Sequence, residues 1–190
     1  MTFMFIQTES TPNPNSLKFI LGDYELCENP IEFNKSQKDT RSALADELFK
    51  INGIENILFN KNCISVNKNE YTWDQLKASI LHVISNHITS GLPAIEIEDS
   101  NCDELDKIHF DYDDIKIVKM INSILSSKIR PAIMQDGGDV KFIKYNSGIA
   151  YLSLKGSCAG CPSATVTLKN GIENMLKHHV PEVKKVEQVL

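Results

Sequence analysis

An α+β fold is predicted: two small α/β modules, each a short sheet packed with helices, joined by an acidic linker. Three observations predict it. Strand-like and helix-like periodicities occur in both halves of the 190 residues, enough chain for two small cores. Between them, residues 89–114 hold nine acidic residues against one lysine and show little periodicity. The formal charge also changes sign along the chain, from −3 in residues 1–88 through −8 in the acidic stretch to +6 in residues 115–190. The expected boundaries are therefore an N-terminal module over 1–88, a linker over 89–112 and a C-terminal module over 113–190.

In the first module, residues 3–9 and 16–21 read as strands around Thr11-Pro12-Asn13-Pro14-Asn15, where each proline holds its predecessor extended. Residues 42–49 read as a short helix with Leu44 and Leu48 on one face. Residues 54–59 and 63–66 form a hairpin pattern across Asn60-Lys61-Asn62. The next helix has a capping-box start at Thr72 and Gln75, with Trp73, Leu76, Ile80, Ile84 and Ile88 as an apolar stripe for the core. The acidic stretch reads as a spacer, with a short strand expected within residues 93–97.

In the second module, Ile117, Val118, Ile121, Ile124 and Leu125 make an amphipathic helix expected to end near Pro131. Met134-Gln135-Asp136-Gly137-Gly138-Asp139 turns the chain into a strand over 140–145. Asn146-Ser147-Gly148 is a hairpin signal, with its partner strand over 149–155. Ala164, Leu168, Ile172, Met175 and Leu176 mark a helix that begins at Pro162, and a last strand is expected within 183–189.

Chemistry concentrates where that strand meets that helix, at Cys158-Ala159-Gly160-Cys161-Pro162. Thiols at a helix N-terminus are expected to favour the thiolate, the form that binds metal or attacks a disulfide. Ala159 and Gly160 leave room for a bulky inorganic partner. A thioredoxin-type dithiol fits poorly, because the 29 residues after Cys161 are too few for the remaining sheet of such a fold. A zinc site and an iron–sulfur cluster both need about four ligands. His178 and His179 lie at the far end of the helix, ~25 Å away at 1.5 Å per residue. Two chains, each giving Cys158 and Cys161, meet the count for either metal, so ligand arithmetic leaves zinc and iron–sulfur open.

The remaining motifs take bland readings. Cys63 falls in a strand and Cys27 and Cys102 in loops, without ligand spacing. Gly137-Gly138 lacks the G-K-S/T of a phosphate loop and reads as a turn. His82 and His87 are out of phase for a shared metal. No catalytic constellation stands out, and no enzymatic turnover is expected. The lysines of the basic module are scattered, with Phe142, Tyr145 and Tyr151 as its aromatics, which favours an anionic cofactor or acidic protein partner over nucleic acid. No membrane-span-length apolar run occurs, and residues 1–7 show neither a signal nor a transit pattern. Five irregularly spaced cysteines suit a reducing compartment, and the cytoplasm is the expected location.

Two stretches resemble a known family. Met134-Gln135-Asp136-Gly137-Gly138-Asp139-Val140 with Gly156-Ser157-Cys158-Ala159-Gly160-Cys161-Pro162-Ser163 resembles the C-terminal domain of NifU-type proteins. Ile6-Gln7-Thr8-Glu9-Ser10-Thr11-Pro12-Asn13-Pro14-Asn15-Ser16-Leu17-Lys18-Phe19 resembles the N-terminal domain of the Nfu subgroup. The resemblance implies an iron–sulfur scaffold or carrier with a [4Fe-4S] cluster bridged between two subunits, the homodimer forming when loaded. It implies Cys158 and Cys161 as the ligands, and apo iron–sulfur proteins and upstream assembly factors as partners. It brings no ligand to the N-terminal module, in agreement with the packing roles given to Cys27 and Cys63. The alternative is a zinc-bridged interaction module.

Overall fold

Apolar residues recur at every second position in several short segments of the first half, so pairing these segments collects one apolar face. The computed structural model describes residues 5–37, 41–95, 112–159 and 162–189. The chain divides into two compact units, Met1–Ser100 and Asn101–Leu190. The body of the acidic stretch, Cys102 and Cys161 lie outside the described residues.

In the first unit, β1 (Gln7–Ser10), β2 (Ser16–Ile20), β3 (Ile31–Asn34), β4 (Ile54–Phe59) and β5 (Cys63–Lys68) form an antiparallel sheet of order β1-β2-β5-β4-β3. Its register places Leu17, Val66, Ile57 and Phe33 in one cross-strand row, and Phe19, Ile64, Phe59 and Ile31 in the next. Helices α1 (Ala43–Phe49) and α2 (Trp73–Ser90) complete this core with Leu44, Leu48, Leu76, Ile80 and Ile84. The Phe33 and Phe59 rings meet at 5.0 Å, a tilted aromatic pair. Strand β3 is an addition to the sequence reading: it has four residues, and only its pairing with β4 defines it.

Local signals fix the ends of these helices. Ser42 Oγ accepts from the Ala45 N–H at 3.1 Å and donates to the Ala94 carbonyl at 2.6 Å. The Gln75 side chain reaches back to accept from the Thr72 N–H at 3.0 Å, as the capping box requires. Gly91 closes α2 in the left-handed conformation. Of the strand expected within 93–97, the described residues form a bend, with Ala94 buried in the first core.

In the second unit, α3 (Tyr112–Ile124) runs into a π-helical turn (Leu125–Ile129) and then α4 (Arg130–Gln135). The helical path thus passes through Pro131 rather than ending near it. Core residues Ile121, Leu125, Ile129 and Ile133 recur every four residues, which runs ahead of the 3.6-residue period. A wider turn restores the phase. The Arg130 N–H donates to the Leu125 carbonyl, five residues back, and Pro131 then enters at the start of α4, where its missing N–H costs little.

Strand β6 (Gly138–Asn146) pairs antiparallel with β7 (Ile149–Gly156) through a two-residue turn. Ser147 (φ 51) and Gly148 (φ 87) both adopt the left-handed conformation that such hairpins require. Helix α5 (Pro162–His179) then crosses over, and β8 (Lys185–Gln188) lies parallel to β7. Glu173 on α5 accepts from the Val186 N–H at 2.9 Å, which satisfies a backbone donor of an edge strand. The core joins Val140, Ala150, Leu152, Leu154 and Val186 of the sheet to Val118, Ile121, Ile172 and Leu176 of the helices. No helix among the described residues is long and apolar enough to cross a membrane.

Candidate metal centre

The last pair of the β6–β7 ladder, Gly138 opposite Gly156, brings the Asp136-Gly137-Gly138-Asp139 turn beside the cysteine loop. Gly156 leaves the strand with φ 61 and Gly137 leaves α4 with φ 77, conformations that a side chain would strain. Hydrogen bonds then hold the loop. The Ser157 N–H donates to the Gly137 carbonyl at 3.2 Å, and the Ala159 N–H to the Gly156 carbonyl at 3.0 Å. The Ser157 hydroxyl donates to the Asp136 carbonyl at 2.5 Å.

Cys158 packs into the second core at 7% exposure. Its Sγ lies so close to Gly138 that a Cβ there would collide with it, while also meeting Ile133 Cγ2 and the Lys155 carbonyl at 3.1 Å. The sequence reading of Gly138 as part of a turn missed this second duty. Its signal was the second glycine of the pair: one left-handed residue makes the turn, and Gly138 leaves space for sulfur.

The expectation of a thiolate at Cys158 is corrected by this packing. Burial pushes the thiol up to about 11, the nearby Ser157 hydroxyl opposes that rise, and Asp136 and Asp139 add to it. Cys158 lies in the loop before α5, and desolvation is the largest cause of the rise. The raised value favours the protonated thiol at neutral pH.

Asp139 is 4% exposed and stands 2.9 Å from Arg130 Nε, while Arg130 Nη2 donates to the Val140 carbonyl at 3.0 Å. Burial raises the carboxyl from its ordinary value and the guanidinium opposes that rise. The pair fastens α4 to the start of β6, and so fixes the backbone against which Cys158 packs. Sequence reasoning did not find it, since no helix-face spacing links residues nine apart across a turn.

Among the described residues the other cysteines and histidines assemble no site. Cys63 is buried in β5, and the half-buried Cys27 approaches the Phe59 carbonyl at 3.6 Å with its thiol pushed up to about 11, chiefly by burial. His82 contacts Asn86, His87 is buried, and His179 lies 2.8 Å from Lys128 Nζ at the end of α5. Among the described residues no three His, Cys, Asp or Glu side chains converge as a metal site.

Comparison with known proteins decides the family. The family model described as scaffold protein Nfu/NifU N terminal matches residues 6–91, and the NifU-like domain matches residues 121–187. Over 190 residues the chain is 42% identical to the NFU1 iron-sulfur cluster scaffold homolog, mitochondrial, of Homo sapiens, covering 99% of this chain and 73% of that one. The chain belongs to the NFU1 iron–sulfur cluster scaffold family. The family homologue of Drosophila persimilis is likewise 42% identical, over 98% of this chain and 65% of its own length. That of Drosophila erecta is 40% identical, with the same coverage of both chains.

Membership in the NFU1 family overturns one expectation. These relatives are named mitochondrial, so the cytoplasmic assignment does not stand. Reduced cysteines are equally compatible with other reducing compartments, and this chain spans about two thirds to three quarters of the relatives' lengths.

Proposed function

We propose that this chain is a mitochondrial iron–sulfur cluster carrier that holds a [4Fe-4S] cluster between two copies, through Cys158 and Cys161 of each, and passes it to apo-proteins. The observation that carries the reading is the seat of Cys158: a cysteine loop tied to Asp136 and Gly137, with its sulfur against a residue that has no side chain. The family name of the relatives supplies the cargo class. Four thiolates complete the iron sites of a cubane, and two chains with one C-x-x-C each provide them about a two-fold axis. A site made at a subunit boundary opens when the subunits part, which suits a protein that must release what it carries. Catalytic turnover is not part of this function.

On this reading the unit from α3 onward is the cluster-bearing domain, and the spacer is narrower than the expected 89–112, because α2 runs to Ser90 and Ala94 packs in the first core. The first unit, whose core extends to Ala94, is a domain that meets cluster donors or recipients. Anaerobic reconstitution with ferrous iron and sulfide tests the proposal. The expected product is brown, with visible absorption that Cys158→Ser and Cys161→Ser abolish and Cys27→Ser, Cys63→Ser and Cys102→Ser retain. A colourless protein that takes up zinc in preference would overturn it in favour of a zinc-bridged module, because Zn²⁺ is d¹⁰ and has no such absorption.

A further inference from the structure

Lysines scattered along the sequence converge on one face of the second sheet. The core side of that sheet carries Val140, Ala150, Leu152, Leu154 and Val186. Residues that alternate with these, and so point the other way, include Lys141 opposite Ser153 and Lys144 opposite Tyr151. Lys155 follows on β7 and Lys185 lies opposite Ile149 on β8. Lys141, Lys144 and Lys185 are exposed, while Tyr151, Ser153 and Lys155 are half-buried. Lys144 Nζ sits 4.7 Å from the centre of the Tyr151 ring, a cation–π contact that holds one ammonium over the middle strand. Two carboxylates share the face: Glu187 pairs with Lys185, and the buried Asp139 pairs with Arg130. Positive charge dominates the rest.

We propose that this face docks an acidic protein surface, that of the acceptor which receives the cluster; the proposal rests on the carrier reading above. Charge complementarity argues for an anionic occupant. Position argues for the acceptor: β7, which carries Tyr151 and Ser153 of the face, ends at Gly156 and leads through Ser157 to Cys158, so the face borders the cysteine loop. Tyr151 lies about 20 Å along the chain from that loop at ~3.3 Å per residue, within the footprint of a small protein interface. The face suits protein better than nucleic acid. It offers lysines rather than arginine forks, and its one aromatic ring is covered by Lys144, which leaves no stacking platform for bases.

The test uses the full ¹⁵N-labelled chain titrated with poly-L-glutamate of about 20 residues at low salt, where such contacts are least screened. Amide shifts should cluster at Lys141, Lys144, Tyr151, Ser153 and Lys185 and fade at high salt. The triple variant K141Q/K144Q/K185Q should lose at least about tenfold in affinity while loading iron and sulfide like the parent. Shifts that are absent or confined to the first unit would overturn the proposal. So would tighter binding of a 20-nucleotide single-stranded RNA at the same face, or concentration-dependent shifts there without added peptide, which would make a second copy the occupant. A chain that loads normally but ignores poly-glutamate removes the docking face and leaves the carrier; one that binds poly-glutamate on this face but takes up no iron or sulfide removes the carrier and leaves an acidic-protein dock.

Discussion

Cys158 Sγ rests against the α-carbon of Gly138, in a space that a single methyl group would fill. The cysteine and the glycine are twenty residues apart in sequence, and the β6–β7 ladder joins them. The cysteine proposed to hold the cluster is thus seated by a turn from elsewhere in the chain.

Gly138→Ala should therefore displace the sulfur or the turn. An overpacked position of this kind costs about 1–3 kcal/mol, and iron uptake should fall with it. Gly171→Ala is the control: it lies in α5 with nothing near its Cβ position and should be neutral or stabilising by about 0.5–1 kcal/mol, with unchanged uptake. Urea unfolding and iron assays on both variants check this.

The raised thiol has a pH signature. Cys158 titrates near 11 in the folded chain against an ordinary 9.0. Between these values the folded state keeps a proton that the unfolded state has lost, so stability falls as pH rises through the window and is indifferent to this group below it. Alkylation of apo Cys158 by iodoacetamide should be slow at neutral pH and should rise about tenfold per pH unit up to about pH 10. Mass spectrometry of the modified peptide across pH measures it; a fast, pH-independent reaction near pH 7 would mean that the sulfur is already a thiolate.

Removing Arg130 should harm more than removing both partners. Arg130→Ala leaves Asp139 buried without its cation, at a cost of about 2–4 kcal/mol, the lower end favoured because the Arg130 side chain is 34% exposed. The double variant Arg130→Met, Asp139→Leu should recover part of that loss. Denaturant midpoints of the three proteins, with unfolding slopes compared, decide the ordering.

The two units have separate cores, so damage to one should spare the chemistry of the other. Thr72→Ala at the start of α2 should cost about 1 kcal/mol in the first unit. Iron and sulfide content after reconstitution should not change.

What was legible in the sequence was local. The Thr72–Gln75 cap and the Asn146-Ser147-Gly148 hairpin depend on residues a few positions apart, and both stand as read. Strand β3 was not legible because its four residues become a strand only by pairing with β4. Pro131 reads as a helix end by the local rule, yet the core stripe from Ile121 to Ile133 draws the chain past it through a π turn. The Cys158 thiol misled in the same way. A dipole argument needs only the neighbouring helix, whereas burial depends on Ile133, Gly138 and Lys155, which the fold brings in from elsewhere.

The central claim is that the cluster and the dimer form together. Sedimentation of the anaerobically reconstituted full chain, with iron and sulfide assayed across the boundary, tests it most directly. On the carrier reading the cluster is bound by the paired state, which it therefore stabilises. The loaded protein should sediment as a dimer with about four irons per two chains, while the apo protein at the same modest concentration sediments mainly as a monomer. A monomer carrying a full cluster without added thiol would contradict the account.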